Sequence, residues 1–230
     1  MAILCGGLVV TIELSVFTAL FTIAFSVLLA ICRVSPWRWA RILPGLYADL
    51  FRSIPLLALL IFLYYGLGRV AVQFGVSGFW LVVAGLSLSE SAYLGEVYRG
   101  GLLAVSQSQW EAAASLGLGW PSILWRVVLP QAVPSAIPST LNMLISIIKN
   151  SSLASLVAVR EVTLVATILV SETFEPMRVY LVLAVLYLAI IIPISLASRW
   201  LESRVGHANL SLAEYAHVPV EPPATVLPEA

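Results

Sequence analysis

Apolar residues run through this chain in long uncharged blocks, and the few charges that interrupt them mark out its elements. Residues 14–32 form 19 positions without a charge between Glu13 and Arg33, enough for one membrane-crossing helix. A second block, 53–68, lies between Arg52 and Arg69 and extends toward the glycines at 75 and 78. A third starts near Phe79, ends near Arg99 and carries Glu90 inside it. The last, 179–198, is 20 uncharged residues closed by Arg199. Its Pro193 predicts a kink of the kind neighbouring helices tolerate.

Residues 135–170 fit no single element. As one helix these 36 residues would reach about 54 Å, well beyond a hydrocarbon core of about 30 Å. Polar Lys149-Asn150-Ser151-Ser152 is the natural break. The stretch reads either as one span followed by a re-entrant or interfacial segment, or as two short spans. Arginine placement decides. Five spans with the N-terminus outside put Arg33, Arg38, Arg41, Arg52, Arg99, Arg126, Arg199 and Arg204 inside, and only Arg69 and Arg178 outside. Six spans would export the last two inside arginines against the positive-inside bias. The expected fold is therefore an all-α membrane protein of about five transmembrane helices, its C-terminus cytoplasmic.

Composition agrees. Of 230 residues, 60% are hydrophobic and 10% charged, and the mean hydropathy is +1.00, whereas soluble domains carry about 25% charged residues. A formal net charge of zero gives no electrostatic footprint for nucleic acid. Cys5 and Cys32 bracket the first span, about 40 Å apart as helix, too far to pair. The N-terminus lacks the basic region and cleavage site of a secretory signal, so the first span is expected to be retained. The two histidines, His207 and His217, fall at or beyond the last span, so a metal site is not expected. The single lysine, Lys149, is followed by Asn150, so no phosphate-cradling Gly-Lys-Ser/Thr loop exists. No nucleophile has a histidine near it to activate it. The chain is not expected to be an enzyme, and energy for any uphill transport must come from a partner or an ion gradient. After Gly206 four prolines, scattered acids and little apolar periodicity predict a disordered cytoplasmic tail, 206–230, behind a membrane domain, 1–205.

The exception to the apolar pattern is residues 111–130, EAAASLGLGWPSILWRVVLP. It reads as a polar helix–turn–helix between spans. Ala112, Ala113 and Ala114 favour helix and let a partner approach closely. Glu111 is placed near the helix start, where it would complement the dipole. Gly117 and Gly119 end that helix before Pro121 opens the next.

The spacing Glu111-Ala112-Ala113, Gly117, then Leu129-Pro130 resembles the EAA loop (about 107–130 here) of bacterial ABC importer permeases. Other motifs extend the likeness across residues 4–204. Phe51-Arg52-Ser53-Ile54-Pro55-Leu56-Leu57 is similar to the opening of the second span in polar amino-acid permeases, and Ala92-Tyr93-Leu94-Gly95-Glu96-Val97-Tyr98-Arg99-Gly100-Gly101 to the motif ahead of their loop. Gln109-Trp110-Glu111, Leu129-Pro130-Gln131-Ala132 and Lys149-Asn150-Ser151-Ser152-Leu153 also resemble the histidine/glutamine/arginine branch. Ser53, Ser106, Ser108 and Asn150 depart from it, standing where Gly, Pro, Gly and Asp are usual. The resemblance implies a type I importer permease fold in a bacterial cytoplasmic membrane. It implies a second permease chain, identical or homologous, a dimer of ATPase subunits holding ATP and Mg, and an extracytoplasmic amino-acid-binding protein. The loop would couple to the ATPase.

Charges inside the bilayer are costly and mark function or pairing. Glu96 and Arg99, three apart on one helix face, read as a structural pair. Glu90, near the middle of its span, is either a carboxyl hydrogen-bonded to a neighbouring helix or a substrate contact. Lys149 either satisfies carbonyls at the helix break or faces the path, and Glu161 could face the cavity; the resemblance places its segment at an outer gate. Leu56, following Pro55 where an acidic residue could have reached the cavity, and the positive Lys149 and Arg160 lean the preference toward a neutral or acidic amino acid. An ion-coupled secondary transporter would use Glu90, Glu161 and Lys149 as a relay but would not need the polar loop.

Overall fold

A computed structural model describes the backbone of residues 2–216 and the side chains of residues 3–204. Among the described residues there is no strand. The elements are α1 (Ala2–Val34), α2 (Arg38–Ser53), α3 (Leu56–Ile61) prolonged by a π turn (Phe62–Gly66), α4 (Gly68–Gln73) and α5 (Gly78–Leu103). Then follow α6 (Gln107–Ser115), α7 (Trp120–Ile123) with a π turn (Leu124–Val128), α8 (Leu129–Asn150) with a 3-10 turn (Ser151–Val157), α9 (Val162–Thr173) and α10 (Pro176–Ala216).

Three helical stretches, Ile3–Val34, Trp120–Val157 and Pro176–Arg204, are long and apolar enough to cross a membrane. The second expected span, 53–68, holds the α3 stretch, only 11 residues from Leu56 to Gly66; it qualifies as a broken span only together with the preceding α2, which meets it at 99°. Pro55 dictates the corner, because it disfavours helical backbone at Ile54, which is extended at φ −88°, ψ 125°. α5, which carries Glu90, Glu96 and Arg99, is not among those stretches. It is the central helix, packed on α1, α2, α3 and α8, so it carries serines and Glu90 where the peripheral helices carry leucine and isoleucine.

The α1–α5 contact is the largest between helices, and its chemistry suits a lipid setting. Thr11, Ser15, Thr18, Thr22 and Ser26 make a buried polar stripe on α1. Opposite them, Ser87, Ser91 and Gly95 recur every four residues on α5. The Ser87 hydroxyl donates to the Thr18 carbonyl at 3.4 Å, and that of Ser26 to the Ser91 carbonyl at 3.3 Å. Small residues at helical spacing permit close backbone approach, which replaces the hydrophobic driving force that lipid removes.

The α-helix ends at Asn150, inside the polar run, but the chain does not turn back there: it continues as the 3-10 turn Ser151–Val157, in which Ser151, Ser152 and Ser155 donate their hydroxyls back to the carbonyls of Ile148, Lys149 and Ser152. Chain reversal comes later, at Ala158 in the left-handed region with φ 58°. The following α9 has 12 residues, about 18 Å, too short to span. One span followed by a short non-spanning helix is the outcome. The expected tail begins as helix, since α10 continues to Ala216; residues 217–230, and with them His217, lie outside the described residues.

Candidate functional site: a charged cleft and a polar loop

Between α2, α3, α5 and α8 opens a cleft of about 610 Å³. Its polar lining comes from Arg52, Ser53, Ser89, Glu90, Tyr93, Ser146 and Asn150, with Leu56 and Met143 among the apolar walls. Glu90 sits at the middle of α5 and reaches toward α8. Its Oε1 accepts from Asn150 Nδ2 at 2.6 Å and from Ser146 Oγ at 3.3 Å. Its Oε2 accepts no hydrogen bond among the described residues. Arg52 is delivered to the same cleft by the last turn of α2. Its guanidinium stands 5.6 Å from the centroid of the Tyr93 ring, a cation–π geometry, and the Tyr93 hydroxyl donates to the Arg52 carbonyl at 3.2 Å. Among the described residues Arg52 has no carboxylate partner. One cleft thus holds a carboxylate with a free oxygen and a guanidinium with free donors.

Of the residues expected along the path, Glu90 and Leu56 lie here and the other two do not. Glu161 is fully buried elsewhere, as the N-cap of α9. Its Oε2 accepts from the Thr163 N–H and its Oε1 from the Leu164 N–H, each at 2.8 Å. The hydroxyls of Thr11 and Tyr187 complete the shell at 3.4 and 3.3 Å. Two orphan helix donors and two hydroxyls account for the buried carboxylate. Gly7 lets α1 come this near, for a Cβ there would stand 2.9 Å from the Val162 Cα. Lys149 is exposed, outside the cleft lining, and has no ion pair among the described residues. The backbone it was expected to satisfy is bonded by the serines instead.

The structural pair has a third member. Glu96 binds Arg99 at 3.0 Å through Oε2 and Arg33 of α1 through Oε1. Sequence spacing could show only the i, i+3 partner, since Arg33 is 63 residues away.

The polar loop is built as a closed turn. Gly117 adopts φ +79°, its N–H donates to the Ala114 carbonyl, and the Leu118 N–H donates to the Ala113 carbonyl. These are the two bonds of a Schellman C-cap. Gly119 is the N-cap of α7, with Pro121 in its first turn. Glu111 is not at the start of the helix, which begins four residues earlier at Gln107; it accepts from Gln107 Nε2 at 3.3 Å. Nor are the alanines equivalent. Ala113 is buried in a cluster with Ala30, Leu102, Ile123, Leu124, Val128 and Ala132, against which Leu129 packs. Ala112, Ala114 and Pro130 face outward. Leu116 is 82% exposed at the tip, an apolar knob on a polar loop that sequence reading passed over. The trapped inner face and the free outer face leave α6 firmly held yet available to another protein.

A bundle of membrane-crossing helices with a charged internal cleft and one rigid, externally presented loop helix defines a solute-transport subunit. Residues 14–207 match the binding-protein-dependent transport system inner membrane component family, and the chain belongs to it. It is 33% identical to the "Probable amino-acid ABC transporter permease protein PatM" of Vibrio harveyi, over 86% of this chain and 89% of that one. It is equally identical, at 33%, to the octopine transport system permease protein OccM of Rhizobium radiobacter, over 80% and 78% of the two chains. The crystal structure of an amino acid ABC transporter with histidines superposes with a TM-score of 0.78 at 28% identity, covering 88% of this chain and 94% of that chain. The protein is a membrane permease subunit of an ATP-driven ABC importer, and the ion-coupled alternative is not favoured.

Proposed function

We propose that this permease carries a polar amino acid through the Arg52–Glu90 cleft, with no ATPase site of its own. The observation that carries the reading is the pairing of a guanidinium lacking a carboxylate partner with a half-engaged carboxylate. An amino acid presents the complement of both: its α-carboxylate suits Arg52, and its α-ammonium suits Glu90 Oε2. With one positive and one negative group, the cleft has no charge left over for a cationic side chain. Ser146 and Asn150 offer neutral hydrogen-bonding groups beside it, so a neutral or acidic amino acid is the preferred cargo. The names of the relatives, an amino-acid and an octopine permease, support the class. By the same kinship two permease chains would pair about a two-fold axis. Two ATPase subunits, holding ATP and Mg, would grip the α6 loops on the cytoplasmic side, and an extracytoplasmic binding protein would deliver cargo. In this orientation the N-terminus is outside and the C-terminus cytoplasmic, and the membrane is the bacterial inner membrane.

Competition against uptake by the reconstituted importer tests the cargo. Glutamine or glutamate should displace labelled substrate, and displacement by arginine and lysine alone would refute the preference. Glu90→Gln should raise the apparent KM for uptake at least about tenfold, the scale of one lost charge-assisted hydrogen bond, while leaving thermal stability near native. An unchanged KM would remove Glu90 from the path.

A further inference from the structure

Helix α2 divides its surface three ways. At 3.6 residues per turn, Ala40, Pro44, Tyr47, Ala48 and Phe51 share one face, and this is the face turned to the protein: Ala48 is buried, and the Tyr47 hydroxyl donates to the Leu88 carbonyl at 2.7 Å. Trp39, Leu43, Leu46 and Leu50 form a second face, exposed by 72%, 64%, 62% and 56%. Arg38, Arg41, Asp49 and Arg52 form the third. Arg38 and Arg41 have no carboxylate partner among the described residues, and Asp49 lies about 12 Å farther along the axis. The helix stands at 99° to the α3 stretch. At that angle the two cannot both run along the bilayer normal, and a helix divided between an apolar and a basic face suits the surface-parallel direction.

We propose that α2 is an in-plane helix of the cytoplasmic leaflet that binds anionic phospholipid, Arg38 and Arg41 holding headgroup phosphates while Trp39, Leu43, Leu46 and Leu50 rest among the acyl chains. The proposal rests on the orientation given above. Its physical basis is charge complementarity joined to geometry. A basic edge beside a continuous apolar stripe, introduced by tryptophans and laid flat, matches an amphipathic helix at a lipid surface. Cytoplasmic-leaflet anionic lipids attract such arginines. The anchored end also touches the loop. Trp37, 68% exposed, has its ring centroid 6.4 Å from that of Trp120, the first residue after the α6 turn. Lipid at α2 therefore fixes the depth at which α6 is presented.

The complete importer in nanodiscs, probed with spin-labelled phosphatidylglycerol and phosphatidylcholine, tests this. The native protein should immobilise phosphatidylglycerol in preference. Arg38→Gln with Arg41→Gln should lower that preference by up to about thirtyfold, roughly fivefold for each arginine, while Arg69→Gln, an equal charge change at the opposite end, should leave it intact. No preference in the native importer, or an undiminished one in the double variant, overturns the proposal. Displacement of the labelled lipid by free glycerol phosphate would show a soluble-anion site instead. Leu46→Cys in a cysteine-free chain should stay uncrosslinked and open to lipid-soluble reagents; disulfide-linked permease pairs would assign the stripe to a second copy and sink the lipid reading. Sided labelling of the loop in sealed vesicles holding the same importer separates a failure here from a failure of the orientation.

Discussion

Gly117→Val should uncouple this permease without unfolding it, and the backbone of that one residue sets the magnitude. Gly117 holds φ +79°, and a Cβ built on it would meet nothing within 4 Å. Steric crowding by neighbours therefore contributes nothing, and the whole cost is the left-handed conformation. For an ordinary L-residue that is about 1–2 kcal/mol, with a β-branched residue at or above the upper end. Asn tolerates the region and should cost less. Relief by rotation would break the Gly117-to-Ala114 and Leu118-to-Ala113 bonds that close the turn and re-aim α6 relative to α7. About 2 kcal/mol lowers the ratio of native to altered turns roughly thirtyfold, so a larger share of molecules would present the loop helix wrongly. The spans make no contact through this residue and should insert normally.

The assay is uptake per ATP hydrolysed in proteoliposomes holding the permease, its ATPase and its binding protein. The expected order of coupling is Gly, then Asn, then Ala, then Val. Native coupling in Gly117→Val would refute the assignment of the loop. An Asn variant worse than Ala would refute the conformational explanation, because bulk rather than φ would then govern the site.

Three further outcomes follow from the geometry. Glu161→Gln should lower stability by about 2–3 kcal/mol, nearly as much as Glu161→Ala, because an amide offers one acceptor where two N–H groups need one each; thermal unfolding reads this, and a shift in KM without a shift in stability would return Glu161 to the transport path. Glu96→Gln should cost only about 1 kcal/mol, since its arginines are partly solvated, and adding Arg33→Gln should cost less than the two single losses summed; strict additivity would deny the three-membered network. An impermeant thiol reagent should reach Gly75→Cys from outside and Trp120→Cys only after lysis, both in a cysteine-free chain, and outside labelling at 120 would overturn the orientation.

The first and last spans and the loop were legible because they depend on local properties: uncharged length and the Gly-Pro punctuation between Gly117 and Pro121. What was missed depends on where distant segments meet. Glu161 and Glu90 look alike in the sequence, two acids in apolar surroundings. One precedes the first helical residue after a reversal at Ala158, so it caps; the other lies mid-helix opposite Asn150, so it lines a cleft. The residue after Glu161 gave little warning, because Val162 continues an apolar run with no visible helix start. Arg52 was read as the flank of a span, and only the corner at Ile54-Pro55 turns it inward. The polar run at Lys149–Ser152 does mark the end of an α-helix, at Asn150; what the sequence could not show is that serine hydroxyls bonding back at i−3 carry the chain on as a 3-10 turn instead of reversing it.

The same packing explains how a loop at one end can govern a cleft in the middle. Ala113 of α6 shares a buried cluster with Ala30 of α1, Leu102 of α5, and Val128 and Ala132 where the π turn leads into α8. Glu96 joins α5 to α1 through Arg33 just above that cluster. Glu90 lies on the same unbroken helix as Glu96, about 9 Å away at 1.5 Å per residue. A displacement of α6 is thus shared by α1, α5 and α8, which carry Glu90, Ser146 and Asn150 together. Arg52 is placed differently. It hangs on the last turn of α2, beside the corner at Pro55, where no helical hydrogen-bond ladder crosses. The Tyr93 hydroxyl of α5 donates to the Arg52 carbonyl, so both charges of the cleft are fastened to α5, Glu90 as part of that helix and Arg52 through this bond. If the cleft grips a zwitterion by both ends, as proposed, uptake is sensitive to any change in the separation of Arg52 from Glu90.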